Sequence, residues 1–421
     1  MSYKIAAIDI HKKVLMVVIC SVGEEVADET GAAVAFECRK FGAGAAERTH
    51  LVSWLQQHQV WEVVMESTAQ YWKPVWLDLE VHFDKLHLAQ AQSNRASKGR
   101  KDDFRDAKRL GRRLLAGELM LSFVPEPEQR AWRLMTRGRL QLVYERVRLQ
   151  NQVEALLEEA RIKLSSVIAD LLGVSGRRIL QALAGGLTDP VQLAKLGDDR
   201  LRCSKQQLAD ALTGAPQPEH LQLLKLHIGR LQLLDQQIET LSQMASAALK
   251  QHQDAVVRLS KVPGFGAESA QQLIAEVGVD AEAFPSAGQF ASWIGVCPGS
   301  NVSAEQNASS RCPKGNRFVR RTFTEAAQAA VKKKGSYFQK LFRRFVSKLG
   351  YNGAIWLIAH RLARLVWKIL HDGVSYIEQG QDTTPGARKR RAQRLVKALR
   401  GLGYSVALTD VLIETAPQIP E

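Results

Sequence analysis

Ile5-Ala-Ala-Ile-Asp-Ile10 and, three residues on, Val14-Leu-Met-Val-Val-Ile-Cys20 decide the fold. Both are short β-branched, apolar runs, and the polar spacer His11-Lys-Lys13 between them is the length of a tight turn, so the pair predicts a β-hairpin. Val34 to Phe41 predicts a third strand, Ala45 to Gln57 a helix, Val60 to Glu66 a strand, Tyr71 to Glu80 a helix and Lys85 to Ala89 a short strand.

An early hairpin followed by alternating strands and helices predicts an α/β domain on a mixed sheet, laid out as in ribonuclease-H-like folds. A nucleotide-binding α/β domain shares the alternation. It needs a Gly-rich phosphate loop after its first strand, and His11 to Lys13 is no such loop.

Four acids stand out against this frame. Asp9 lies near the end of the first apolar run, Glu66 ends a second, and Asp103 and Asp106 open a basic helix. On a helix, positions i and i+3 share a face, so Asp103 and Asp106 point together while Asp102 points about a third of a turn away. If the four converge, their mutual repulsion calls for a divalent cation with oxygen ligands, Mg²⁺ or Mn²⁺. Two such ions about 4 Å apart activate the attacking oxygen and steady the leaving oxygen of a phosphodiester. The expectation is a metal-dependent nuclease chemistry on Asp9, Glu66, Asp103 and Asp106. Singly, each acid has an ordinary reading: a turn residue, an ion-pair partner, and two acids favoured by a helix dipole.

The 421-residue chain is 45% hydrophobic with a formal net charge of +15, enough apolar material for two or three domains. Its positive excess is spread over Arg95 to Arg113, Arg311 to Arg321, Lys332 to Arg344 and Arg388 to Arg400, which suits a long polyanion touching several surfaces. The five cysteines form no C-x-x-C pair and lie at no zinc-ligand spacing, so reduced, buried thiols are expected rather than disulfides or zinc. With no basic-then-apolar leader and no run near the roughly 20 residues that span a bilayer, the expected location is the cytoplasm, with no membrane partner.

Glu126 to Leu164 reads as a charged helix. His220 to Lys250 reads as a second one, with Leu224, Ile228, Leu231, Leu234, Ile238 and Leu241 at the spacing of a coiled-coil seam. The two are expected to fold back as an antiparallel hairpin around a small helical insertion, residues 165–215. Val262-Pro-Gly-Phe-Gly266 before Ser269 to Val277 has the form of a helix-hairpin-helix, in which Gly264 and Gly266 would turn backbone amides toward a phosphate. Gln379 to Ala387 predicts a loop, Arg388 to Arg400 a basic helix and Tyr404 to Leu412 a terminal strand. The expected domains are residues 1–122, 123–258, 259–380 and 381–421.

A second constellation runs from Gly299 to Arg321. Small polar residues fill a loop that leads into a helix carrying Arg317, Arg320 and Arg321, with Arg311 and Lys314 just before it. A hydroxyl beside guanidinium groups suits nucleophilic attack on phosphate, since the cations stabilise both alkoxide and developing charge. Such a loop also suits simple phosphate binding. Spacing alone does not choose among Ser300, Ser303, Ser309 and Ser310.

Ala7-Ile-Asp-Ile-His-Lys12, Gly99-Arg-Lys-Asp-Asp-Phe-Arg-Asp-Ala107, Trp293-Ile-Gly-Val-Cys-Pro298 and Pro313-Lys-Gly-Asn-Arg317 resemble the RuvC-like DEDD transposases of bacterial insertion sequences, family one hundred and ten. The similarity runs from the first strand to about residue 380. It implies a RuvC-like catalytic domain, a helical coiled-coil hairpin and a mainly helical transposase domain with a helix-hairpin-helix. It further implies that Asp9, Glu66, Asp103 and Asp106 are the metal-binding tetrad and that Ser303 is the nucleophile. Members of this family join donor and target double-stranded DNA, guided by a structured non-coding bridge RNA. They act as homo-oligomers, dimers assembling to tetramers, with a composite site between subunits. Val302-Ser-Ala-Glu305 departs from the family's more usual Glu-Ser-Ala-Gly or Ser-Ser-Gly-Gly, and Asp102 stands where Thr or Ser is typical. Two other readings remain open: a junction-resolving nuclease that uses water, and a non-catalytic nucleic-acid-binding protein.

Overall fold

A computed structural model describes residues 3–22, 34–67, 69–91, 103–298, 301–303, 306–309, 312, 314–378 and 385–407. The chain divides into two compact units, Met1–Pro125 and Glu126–Glu421.

In the first unit the apolar runs form β1 (Tyr3–Ile10) and β2 (Val14–Val22), an antiparallel pair closed by the amide of His11 donating to the Val14 carbonyl at 3.0 Å. Then come β3 (Val34–Gly42), α1 (Ala45–Gln57), β4 (Glu62–Glu66), α2 (Trp72–Leu79), β5 (Lys85–Ala89), α3 (Asp103–Leu115) and β6 (Leu121–Ser122). The sheet order is β3-β2-β1-β4-β5-β6, with β1, β4 and β5 parallel and the other neighbours antiparallel. This is the mixed sheet expected from the alternation of runs. Strand β6, only two residues long, is beyond what periodicity can reveal.

Side-chain alternation gives the sheet two apolar faces. Ala6, Ile8, Ile10, Val17, Ile19, Val63 and Met65 pack with Leu51 and Leu55 of α1 and Val75 and Leu79 of α2. On the other face, Ile5, Val18 and Cys20 pack with Ala107 of α3, and Ala7 and Val64 with Leu110. Each fully buried aliphatic side chain contributes about 1.5–3 kcal/mol. Gly111 lets α3 lie close to the sheet, for a Cβ there would stand 2.5 Å from the Cys20 Sγ.

The second unit opens with α4 (Pro127–Glu159), which has proline in its first turn, where the missing amide hydrogen costs nothing. Four short helices follow, α5 (Leu164–Val167), α6 (Val174–Ala184), α7 (Pro190–Lys195) and α8 (Lys205–Leu212), and then α9 (Pro218–Ala248). Helices α4 and α9 run antiparallel: Gly138 lies by Leu241 and Arg146 by Asp235, so the numbering rises on one as it falls on the other. Leu224, Leu231 and Leu234 of the expected seam are buried, and with Leu149, Val153 and Leu157 they share a core with the insertion residues Ile179, Leu183, Leu193 and Leu208.

A separate core gathers Trp132 of α4 with residues of α10 (Gln253–Ser260), α11 (Ala267–Val277), α12 (Ala287–Ile294), α13 (Arg317–Ala330) and α14 (Tyr337–His371). Strands β7 (Asn301–Ser303) and β8 (Gln306–Ser309) pair between α12 and α13. Helix α14 is broken at Gly350, whose φ of 68° suits glycine.

The basic helix α15 (Pro385–Gly401) begins earlier than Arg388, because proline is at home in a first helical turn. The expected strand from Tyr404 does not form over Tyr404–Ala407, and its remainder lies outside the described residues. Cys20 is buried as expected, but Cys38 is exposed on β3 and Cys203, Cys297 and Cys312 are half-buried. No helix among the described residues is long and apolar enough to cross a membrane.

Candidate active site

The parallel pairing of β1 with β4 runs from Ile5↔Glu62 to Ile8↔Met65, so the next residues on the two strands are Asp9 and Glu66. By alternation Asp9 shares the face of Ile5 and Ala7, and Glu66 shares the face of Val64, the face that α3 covers. Asp106 sits on α3 beside the buried Ala107. Three of the four expected acids are therefore brought to one place by the sheet and one helix. Asp103 begins α3, one turn before Asp106, and its side chain lies outside the described residues.

The electrostatics reflect this convergence. Burial pushes the Glu66 carboxyl above its ordinary value, and Asp9 and Asp106 push it the same way, with Arg109 and His11 opposing. Nε2 of His11 lies 3.2 Å from an Asp9 oxygen, and Nη1 of Arg109 donates to Asp106 at 2.8 Å. Neither His11 nor Arg109 was singled out from sequence. Among the described residues no three His, Cys, Asp or Glu side chains stand as a group that could hold a metal ion. The donors are nevertheless of the right kind for Mg²⁺ or Mn²⁺, being carboxylate oxygens whose like charges raise Glu66.

The serine segment is a hairpin, where the small polar residues suggested only a loop. Asn301 pairs with Ser309 and Ser303 with Gln306, so Ser303 is the last paired residue before the turn. The Ser303 side chain and Arg311 lie outside the described residues, as does Ser300. The second leg of the hairpin is tied to α12: the Asn316 amide donates to the Trp293 carbonyl at 3.1 Å. The Cys297 thiol is pushed up by burial and by the neighbouring Cys312.

Helix α13 starts immediately after the second leg. Its N-cap is Asn316, whose Oδ1 accepts from the amides of Phe318 at 3.0 Å and Val319 at 3.3 Å. Lys314 and Arg317 are exposed. The guanidinium of Arg320 lies 4.7 Å over the Trp356 ring, and that of Arg321 lies 3.9 Å over Tyr144 and donates to Glu325 at 2.6 Å. These aromatic supports hold long side chains out from the helix and reduce the freedom lost on meeting a phosphate.

At the helix-hairpin-helix turn the two glycines do different work. A Cβ on Gly264 would stand 2.1 Å from the Ala326 carbonyl oxygen, so this glycine, at φ +94°, admits α13. The amide of Gly266 donates to the Ser269 hydroxyl at 2.8 Å.

The buried Glu276 was missed altogether. Arg137 donates to both its oxygens, at 2.6 and 2.7 Å, and Asn316 Nδ2 donates at 3.1 Å. An acid inside the apolar run Leu273-Ile-Ala-Glu-Val277 was the available signal.

Comparison with known proteins places the sequence among transposases. Residues 6–162 match the profile of DEDD transposases, residues 256–343 match the profile described as transposase IS116/IS110/IS902 family, and residues 230–278 match a SAM-like helix-hairpin-helix tandem. A probable family 20 transposase of Pseudomonas aeruginosa is 26% identical over 284 residues, 66% of this chain and 75% of that protein. The two transposase matches take in more than half of the sequence, with the acids in one and the Lys-Gly-Asn-Arg segment in the other, and the chain belongs to the IS116/IS110/IS902 family of transposases.

Proposed function

We propose that this transposase is a site-specific recombinase that cuts and rejoins DNA through a covalent phosphoserine link made by Ser303. The observation that carries the reading is the convergence of Asp9, Glu66 and Asp106 under α3, in a family that moves DNA. In this reading Asp9, Glu66, Asp103 and Asp106 hold Mg²⁺ or Mn²⁺. The bound ion would supply Lewis-acid stabilisation of charge on phosphate oxygens.

The rest is done by the chain. The Ser303 hydroxyl gives up its proton as its oxygen bonds phosphorus, and the sugar oxygen that leaves takes up a proton as the strand breaks. A sugar hydroxyl of the second DNA later reverses the step, releasing the serine. The phosphoester bond is conserved throughout, so no nucleotide triphosphate is consumed. Lys314, Arg317, Arg320 and Arg321 follow the serine hairpin in sequence, and their charge favours the oxyanion that develops. Donor and target duplexes are the DNA partners, a structured RNA pairs with both to choose the sites, and dimers assemble to tetramers. The charge of +15 spread along the chain supports contact with more than one polyanion.

Purified protein with its RNA and labelled DNA tests the reading. Ser303→Ala should abolish the protein–DNA adduct and strand joining, and Asp9→Ala should abolish cleavage while leaving binding intact. Cleavage that survives Ser303→Ala would identify a water-using nuclease instead. Full recombination in excess chelator would remove the metal from the reading. Protein purified from its host and freed of DNA should carry one discrete RNA species if a guide is bound.

A further inference from the structure

Glu276 is an unusual residue to find at the end of α11. Its side chain is 0% exposed, and a charge so placed must be paired or it destabilises the fold. Its surroundings are organised for it. Arg137 of α4 binds both oxygens, Gln272 Nε2 approaches Oε1 at 3.4 Å, and Arg133 Nε lies 3.8 Å away. Arg133 also donates to the last carbonyls of α11, Ala275 at 3.0 Å and Glu276 at 2.5 Å. A well-packed apolar residue commonly serves the stability of a core at least as well as a buried ion pair does. The carboxylate therefore calls for another reason, and its remaining contact supplies one.

Oε2 of Glu276 accepts from Asn316 Nδ2 at 3.1 Å. An ionised carboxylate can only accept, so Asn316 must turn its NH₂ toward Glu276 and its Oδ1 toward the α13 amides. Arg137 completes the enclosure, its guanidinium 4.6 Å over the ring of Phe318. The preceding residue is fixed as well, since a Cβ on Gly315 would stand 2.2 Å from the Ile294 carbonyl. The second leg of the serine hairpin and the first turn of the arginine helix thus meet at one side chain, whose orientation Glu276 determines.

We propose that Glu276 is a positioning residue that acts through Asn316, fixing where the serine hairpin ends and the arginine helix begins. Its consequence for DNA chemistry rests on the recombinase reading above, whereas its consequence for local order does not.

Asp caps a helix as well as Asn does, so capping alone predicts that Asn316→Asp is neutral. Positioning by Glu276 predicts a loss, because N316D sets two carboxylates against each other. It also predicts rescue by E276Q in the same chain, where the new amide donates to the new carboxylate and Arg137 keeps an acidic neighbour.

The test uses the full chain with its RNA and compares N316D, E276Q and the double variant. Amide hydrogen exchange at Phe318 and Val319 should quicken about tenfold in N316D and return to within about threefold of the parent in the double variant. Adduct formation per bound DNA should fall and recover in parallel, while equilibrium DNA affinity changes less. Should N316D fail to fold, Asn316→Ser keeps a capping oxygen and deletes only the donor, and its exchange should quicken by about threefold. Unchanged exchange in N316D, or in N316S where that stands in for it, would overturn the proposal, as would a double variant no better than N316D. If the parent forms no adduct, the recombinase reading fails, and the exchange comparison still decides the role of Glu276.

Discussion

Gly111 on α3 faces Cys20 on β2 with no room for a methyl group: a Cβ at residue 111 would lie 2.5 Å from the sulfur and 3.4 Å from the Ala7 Cβ. Gly111→Ala gains about 1 kcal/mol of helix propensity, but overpacking a filled core costs about 1–3 kcal/mol. Cys20 is fully buried and cannot swing aside, so the clash should win and lower the unfolding midpoint. Cys20→Ala in the same chain should restore much of the loss. Two substitutions that destabilise independently would show that the close approach of α3 is not what Gly111 provides.

Glu66→Gln should stabilise the first unit while abolishing DNA cleavage. Folding raises the Glu66 carboxyl through burial and the nearby Asp9 and Asp106, so the folded state binds that proton more tightly than the unfolded state does. The resulting penalty is full above the raised folded value and absent below the unfolded one. At neutral pH in excess chelator, the variant should therefore melt higher, by about 2–4 °C for each ~1 kcal/mol relieved in a unit of this size. Saturating Mg²⁺ should narrow that difference. A lower melting point in chelator would count against a strained acidic cluster.

Arg317 is exposed with its guanidinium 4.8 Å over the ring of the adjacent Phe318, and Arg321 is held by both Tyr144 and Glu325. Arg317→Gln should weaken DNA binding with little preference for sequence, and it should reduce the slope of log affinity against log salt by about 1. Equilibrium binding at several salt concentrations measures this directly. An unchanged slope would place Arg317 outside the DNA path.

Asp235 joins α9 to two other helices, accepting from Arg146 at 2.7 Å and pairing with Arg177 at 2.6 Å. Burial alone would raise its carboxyl, yet the two arginines hold it below the ordinary aspartate value. Its contribution is complete above the unfolded value and is lost as pH falls through the lowered folded value. Asp235→Asn should cost about 1 kcal/mol at neutral pH, since the pair is partly exposed. Melting curves of parent and variant should converge in acid, and a constant gap down to pH 3 or so would refute the assignment.

The first unit was largely legible because its information is local and periodic. The apolar runs put Asp9 and Glu66 at strand ends and the i, i+3 spacing puts Asp103 and Asp106 on one helix face, but that Asp9 and Glu66 share a face of the sheet follows only from the register in which β1 pairs with β4. The serine hairpin was opaque because Asn301 to Ser309 offers no apolar alternation, so nothing in the residues distinguishes pairing from a loop. Ser303 itself was chosen by resemblance, not by spacing. The Glu276 cluster was hidden for a different reason. Arg133, Arg137 and Arg139 sit in a helix dense with charge, where arginine usually meets water, and their acceptors lie more than a hundred residues away. Gly264 was read as freeing an amide for phosphate, but its bareness is needed where the Ala326 carbonyl passes.

The arginines of α4 have a mechanical consequence. Arg133 grips the carbonyls of Ala275 and Glu276, Arg137 the Glu276 carboxylate, and Arg139 the Glu268 carbonyl at 2.8 Å. To slide along α11, α4 would have to release all three together, and a shift of one helical turn, about 5.4 Å, would bring Met135 or Val143 to the place of Arg139, so the same grip does not reform. It therefore behaves as a keyed shaft. Because Glu276 also holds Asn316, a displacement of α4 is expected to carry α11 and the root of α13 with it.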